Sequence, residues 1–266
     1  MRTSAIPLRI VSLLTIAVFA FVACRGSSGG DTPTPAPSAS PVPTADPNCS
    51  APAAEATESA LANGGFEAGR EPWTSLATES WGPPFELSQA QARSGANSAY
   101  LQLRSEDGGA TRVYGVVQEL GPGELPETLS GYYYVENWEQ GTPKQYLQFV
   151  VIVTAATNIP QQVVDLDANN HQVRYILAGV DSQPTDIANS RYVMVSTEQP
   201  AVGRWVRFER NVRQDFCELW GSLPVGYTGI RVLFETRWDE RKDTDPPSSA
   251  DVYYDDLSWG TAGVAP

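Results

Sequence analysis

The 266-residue chain predicts an all-β fold, an antiparallel β-sandwich. Three observations carry that prediction. Between about residues 61 and 260, short apolar segments of period-two or continuous character are separated by Gly, Pro, Asn and Asp. No convincing amphipathic helix interrupts them, so the strand-helix rhythm of dinucleotide-binding and barrel enzymes is missing. The composition, 41% hydrophobic and 18% charged, is that of one ordinary globular domain with appendages.

Taken in order, Met1 to Arg9 carry Arg2 and Arg9 with no acid, and lead into the apolar run Ile10 to Ala23. This reads as a secretory signal segment, too short for a membrane span. It ends in Phe21-Val22-Ala23-Cys24, which resembles a bacterial lipobox with Phe21 in place of the usual Leu. That resemblance implies cleavage before Cys24 and a lipid anchor on it, on the outside of the membrane. The alternative is a secreted protein cleaved near Ala23. Residues 24–60 are rich in Gly, Ser, Thr, Pro and Ala and lack the apolar surface to offset ordering entropy, so a disordered stalk is expected. The sandwich then occupies 61–260, and 261–266 form a tail.

Within the domain, strands are expected at Gly65–Glu67, Phe85–Gln89, Ala99–Arg104, Arg112–Leu120, Thr128–Asn137 and Gln145–Ala155. Others follow at Gln172–Ala178, Arg191–Ser196, Trp205–Gln214, Gly229–Arg237 and Asp251–Ser258, with a helical turn or two near Asp215 to Trp220. Alternation assigns the faces. Leu129, Tyr133 and Val135 point inward, leaving Tyr132, Tyr134, Glu136 and then Trp138 on the other face. Likewise Leu147, Phe149, Val151 and Val153 turn inward, with Tyr146 and Gln148 pointing away. Ile230, Val232 and Phe234 oppose Arg231, Glu235 and Arg237, and Val206 and Phe208 oppose Arg207 and Glu209. Trp73, Trp81, Trp205, Trp220 and Trp259 fall near strand ends or loops and are expected to pack.

Charge and rare residues exclude whole classes of function. With 18 Lys plus Arg against 31 Asp plus Glu the net charge is −13, which repels nucleic acid. The single His171 rules out a zinc site of two or three imidazoles, and in Asn169-Asn170-His171-Gln172 it reads as exposed. Within the domain, residues 61–260, there is no G-x-S-x-G nucleophile elbow. If Cys24 carries lipid, Cys49 and Cys217 remain. Outside the cell they are either disulfide-bonded or two unrelated thiols. Asp239 to Pro247 is a charged loop without EF-hand spacing, read as solvated.

Two segments resemble a known family. Asn63-Gly64-Gly65-Phe66-Glu67 with Trp73 looks like the opening of jelly-roll carbohydrate-binding modules of the galactose-binding-like fold, and Asp251 to Ser258 looks like their closing strand. Between them Arg93 to Leu101 is similar to the family's Ser-Gly loop and following strand. The resemblance implies first and last strands lying side by side and a structural calcium held by the Gly65 carbonyl, Glu67 and Asp255, or Asp256 if the register is one residue off. It also implies non-catalytic sugar binding through flat aromatic rings, which lose little entropy on binding. The expected platform is Tyr132, Tyr134, Trp138 and Tyr146, with Glu136, Gln148, Arg207, Glu235 and Arg237 as polar partners. The alternative for these groups is ordinary packing and an ion-pair ladder. Two other functions stay open. One is a two-carboxylate glycoside hydrolase or lyase, with Glu136 and Glu235 facing each other across a concave sheet. The other is a structural or protein-binding surface lipoprotein.

Overall fold

The computed structural model describes residues 46–51, 58–76, 84–157 and 170–261. The signal segment, Cys24, most of the expected stalk, Trp81 and the last five residues lie outside them. Two sheets pack face to face. Sheet A has six strands in the order β1-β4-β10-β6-β7-β8, and sheet B has five in the order β2-β3-β11-β5-β9. In sheet A these are β1 (Thr74–Ser75), β4 (Arg112–Leu120), β6 (Gln145–Thr157), β7 (Asn170–Ala178), β8 (Ser190–Met194) and β10 (Val225–Trp238). Sheet B comprises β2 (Glu86–Ser88), β3 (Ser98–Arg104), β5 (Thr128–Glu139), β9 (Trp205–Asn211) and β11 (Ser249–Gly260). The named strand pairs are antiparallel except β7 with β8.

The core follows from alternation. Leu147, Phe149, Val151 and Val153 of β6 meet Leu129 and Val135 of β5 and Val252 and Tyr254 of β11, all buried in one cluster between the sheets. Phe149 sits at its centre, stacked on Tyr175 at 4.2 Å and on Phe208 at 5.2 Å. Strand β9 is shorter than expected. Asn211 accepts a hydrogen bond from the Gln214 amide, capping α2 (Val212–Trp220), which lays Val212, Phe216 and Trp220 into the core. His171, expected in solvent, is 1% exposed on β7, edge-on to Trp220 at 4.7 Å.

The expected strand Gly65–Glu67 is a turn, because Asn63 and Phe66 take left-handed backbone angles of 52° and 59°. The Asn63 side chain holds the turn, donating to the carbonyls of Gly69 and Glu71 and accepting from the Ala68 amide. Phe66 is thereby driven into the core against Trp73, whose Nε1 donates to the Asn63 carbonyl. The opening segment still lies beside the last strand: the Ala60 amide donates to the Trp259 carbonyl and the Leu257 amide to the Gly64 carbonyl. A β-carbon on Gly64 would stand 1.8 Å from the Leu257 carbonyl oxygen, so only glycine permits this approach.

Folded structure also reaches into the expected stalk. Pro47–Ser50 form a short helix, α1, and Cys49 is disulfide-bonded to Cys217 of α2 across 168 residues of sequence. Asp46 caps α1 through the Asn48 amide and accepts from the Leu223 amide.

Two stability predictions follow. Replacing both cysteines by serine frees a long loop in the unfolded chain and should cost about 3–5 kcal/mol, measured by urea unfolding. His171 has its pKa lowered by burial and by the Arg191 charge, so the unfolded chain binds the proton more readily. Stability should therefore fall as pH drops below about 6.5. The His171→Phe chain should lose that portion of the slope in unfolding curves taken between neutral and acid pH.

Candidate functional site

The outer face of sheet B carries a row of four aromatic side chains, one from each of four adjacent strands. Tyr100 of β3 pairs with Tyr253 of β11, Tyr253 with Tyr134 of β5, and Tyr134 with Trp205 of β9. The ring centroids are 4.9 Å, 6.0 Å and 5.5 Å apart along the row. Tyr253, stacked on Tyr100 and edge-on to Tyr134, is wedged between two rings and only 3% exposed. Tyr100, Tyr134 and Trp205 are half-buried, and Trp205 stands on the edge strand with one neighbour only.

Hydrogen-bonding groups line both sides of the row. Tyr253 donates to Glu136 at 2.8 Å and Tyr100 to Asp251 at 2.5 Å. Asp251 also pairs with Arg104 at 2.6 Å. Burial works to raise the Asp251 pKa, but the Tyr100 hydroxyl and Arg104 outweigh it and hold it below the usual carboxylate value. Burial, then the Asp251 bond, pushes Tyr100 up to about 12. Tyr100 as donor and Asp251 as acceptor thus keep their forms around neutral pH. On the far side, Arg93 lies over the Tyr132 ring at 4.7 Å, and Arg207, opposite Tyr132, pairs with Glu209.

Of the expected platform, Tyr132, Tyr134, Glu136 and Arg207 share this face. Trp138 does not. Between Val135 and Asn137 the register against β11 slips by one residue, so Glu136 is extra and the alternation reverses beyond it. Trp138 then lies opposite buried Ala250, packs against the core and donates through Nε1 to Gln199 at 3.1 Å. Tyr100, Trp205 and Tyr253 were not among the expected residues. Alternation in their strands places each outward, but the row exists only once the register aligns them.

Tyr146, Gln148, Glu235 and Arg237 lie on the opposite side of the molecule, the outer face of sheet A. There they are buried, at 0%, 0%, 3% and 6% exposure, and engage one another. Gln148 donates to Glu235 at 2.5 Å, Arg237 pairs with Glu235 at 3.3 Å and Asp239 at 2.6 Å, and Tyr146 donates to Asp239 at 2.5 Å. Asp239, expected in a solvated loop, is 3% exposed for this reason. Glu136 and Glu235 point from opposite faces of the sandwich, so they form no catalytic pair across one sheet.

The four expected calcium ligands meet at one corner. A β-carbon on Gly65 would lie 3.8 Å from Asp256 Oδ1 and 3.9 Å from Asp255 Oδ1. The carboxylates face the loop that follows β2. Glu67 Oε1 accepts the amides of Ala96 at 2.9 Å and Asn97 at 2.8 Å, and Asp255 Oδ2 that of Arg93 at 2.7 Å. Asp256 Oδ1 accepts the Ser94 hydroxyl at 2.6 Å. Burial pushes the Asp255 pKa up to about 6 against the pull of the Arg93 and Asp256 amides. The donors are the hard oxygens calcium prefers. Among the described residues, however, no three acidic, His or Cys side chains are grouped to hold a metal ion.

No family model matches the chain, and no curated protein matches its sequence. Solved structures similar to it include carbohydrate-binding modules. A CBM61 module in complex with β-1,4-galactotriose is 13% identical, with 76% of this chain and 97% of that one covered and a TM-score of 0.38. The xylan-binding domain from CBM22 is 16% identical over 75% and 93%, with a TM-score of 0.40. CBM28, described as specific for non-crystalline cellulose, is 10% identical over 79% and 99%, with a TM-score of 0.38.

The sheet A network yields a prediction. Arg237→Met leaves Glu235 and Asp239 as uncompensated buried carboxylates and should cost about 3–5 kcal/mol in urea unfolding. Any ligand affinity of the face of sheet B should be unchanged in the folded fraction.

Proposed function

We propose that this chain is an exported lipoprotein, anchored through Cys24, whose sandwich binds carbohydrate non-catalytically on the outer face of sheet B. The observation that carries this reading is the row Tyr100, Tyr253, Tyr134 and Trp205, flanked by Glu136, Asp251 and Arg104. Four strands span roughly 14 Å between outer rings, room for a few sugar residues. Tyr100 and Tyr253 are stacked and donate their hydroxyls to Asp251 and Glu136, and Trp205 stands half-buried at the sheet edge. Apolar C–H surface and hydroxyls in one ligand match that mixture of apolar and hydrogen-bonding surface.

Separation of the two acids first considered for catalysis favours binding over hydrolysis. Glu136 is engaged with Tyr253 and Glu235 is buried in an ion-pair network. For calcium the proposal is that Gly65, Glu67, Asp255 and Asp256 hold the ion at the corner beside the Arg93 loop. Its chemistry there would be to neutralise the buried Asp255 and its neighbour, fixing the end of β11.

The glycan reading is tested on an array with the chain carrying Cys24→Ser, purified without lipid. Binding to a defined polysaccharide is expected, and Trp205→Ala or Tyr134→Ala should each weaken it by about 1–3 kcal/mol, roughly 5- to 150-fold. A folded domain that binds no glycan, or binds equally well without Trp205 and Tyr134, sinks the reading and favours a protein partner. For calcium, the melting temperature should rise with added calcium and fall with chelator, and Asp255→Asn should abolish the difference.

A further inference from the structure

The loop of residues 89–97, between β2 and β3, sends two side chains onto the outer face of sheet B. Arg93 lies over the Tyr132 ring at 4.7 Å, and Gln91 donates to Glu136 at 3.4 Å. Tyr132 and Tyr134 are two residues apart on β5, so they share this face about 7 Å from one another. Arg93 therefore stands beside the aromatic row, within reach of a ligand lying on it.

Three guanidinium groups border the row, and they differ in how their donors are used. Arg104 donates to Asp251 and to the carbonyls of Leu103 and Ala250, and Arg207 pairs with Glu209. The guanidinium of Arg93, an exposed residue, makes no ion pair or hydrogen bond among the described residues and touches only the Tyr132 ring. Its backbone is nevertheless fixed. Asp255, itself 0% exposed, accepts the amides of Arg93 at 2.7 Å and Ser94 at 3.4 Å, and Asp256 accepts the Ser94 hydroxyl at 2.6 Å. Glu67 accepts the amides of Ala96 and Asn97, and the Ser98 hydroxyl donates to the Gln91 carbonyl. Between these anchors Gly95 takes a left-handed angle of 61°, and a β-carbon there would stand 2.5 Å from the Glu67 carboxyl group. The loop is thus closed around Glu67, and its one uncommitted charged group faces the row.

We propose that Arg93 is a specificity residue of the sheet B glycan site, donating to two neighbouring hydroxyl oxygens of a neutral sugar, and that Glu67 is the positioning residue that holds its loop for this. The inference rests on the reading of sheet B as a glycan surface. A guanidinium presents its N–H groups in a fixed fork, and a pair of adjacent sugar oxygens matches that fork without carrying charge. Because carboxylates hold the loop before a ligand arrives, little of the contact is lost to ordering.

The test titrates the Cys24→Ser chain with neutral oligosaccharides of glucose, xylose and galactose by calorimetry, in chelator so that no effect passes through a metal ion. Arg93→Met, at an exposed position, should keep the melting temperature and weaken the binding oligosaccharide by about tenfold or more. Arg93→Lys, which keeps the charge and loses the fork, should recover only part of that loss. Glu67→Ala should also weaken binding, and should add nothing in a chain already carrying Arg93→Met, because Glu67 acts through Arg93. Hydrogen exchange reads the positioning without any sugar: in Glu67→Ala the Arg93 and Ser94 amides, bonded to Asp255, should exchange at least about tenfold faster. Unchanged affinity in Arg93→Met, full recovery in Arg93→Lys, additive losses in the double variant, or unaltered exchange overturns the proposal and leaves the sheet B reading standing. A panel with no binder, or a binder indifferent to Trp205→Ala and Tyr134→Ala, removes that reading and this inference with it.

Discussion

The alternation of side chains along β11 is the constraint on which the rest of the structure depends. As the middle strand of sheet B it is hydrogen-bonded on both edges, to β3 and β5, so its side chains have only two directions left. Val252, Tyr254, Leu257 and Trp259 fill the core, while Asp251, Tyr253 and Asp255 face outward. Between Asp255 and Ser258 the register slips by one residue at Asp256, which takes a left-handed angle of 51°. That slip keeps Leu257 and Trp259 in the core although two residues, Asp255 and Asp256, separate Tyr254 from Leu257, where strict alternation would allow one. The same strand therefore anchors the hydrophobic cluster, centres the aromatic row and supplies Asp255 and Asp256, two of the three acids of the proposed calcium corner.

Much of the fold was legible because its signals are local. In β6 and β10 every second residue is Leu, Ile, Val or Phe over several positions, and those residues are the core. The Asn63-Gly64-Gly65-Phe66-Glu67 motif was legible as a motif and misread as a strand. Its residues are specific because they build a turn, with Asn63 holding three backbone groups and Gly64 touching β11. The helix α2 was legible in part, since Phe216 and Trp220 lie on one side of it; its start at Val212 depends on the Asn211 cap.

The candidate site was less legible, and the reasons are physical. Alternation says which residues of one strand share a face, but not which strands share a sheet. Tyr146 and Tyr134 look equivalent in sequence, yet β6 and β5 belong to different sheets. An extra residue at Glu136 then moved Trp138 inward with no mark in the local composition. Charge misled in the same way: Glu235, Arg237 and Asp239 read as surface groups, and become compatible with burial only because they meet one another.

The bond between Cys49 and Cys217 also decides how the molecule carries a load. Tension entering along the chain ahead of Asp46 reaches α2 through a covalent link before it reaches the amides of Ala60 and Leu257 that lace the opening segment to β11. Those hydrogen bonds, pulled one at a time, would unzip under small force. With the link intact Ala60 and Gly64 lie within the closed loop, and the strain passes instead to a helix whose buried Val212, Phe216 and Trp220 are held by the whole core. A domain pulled from its N-terminal side is thus secured against peeling.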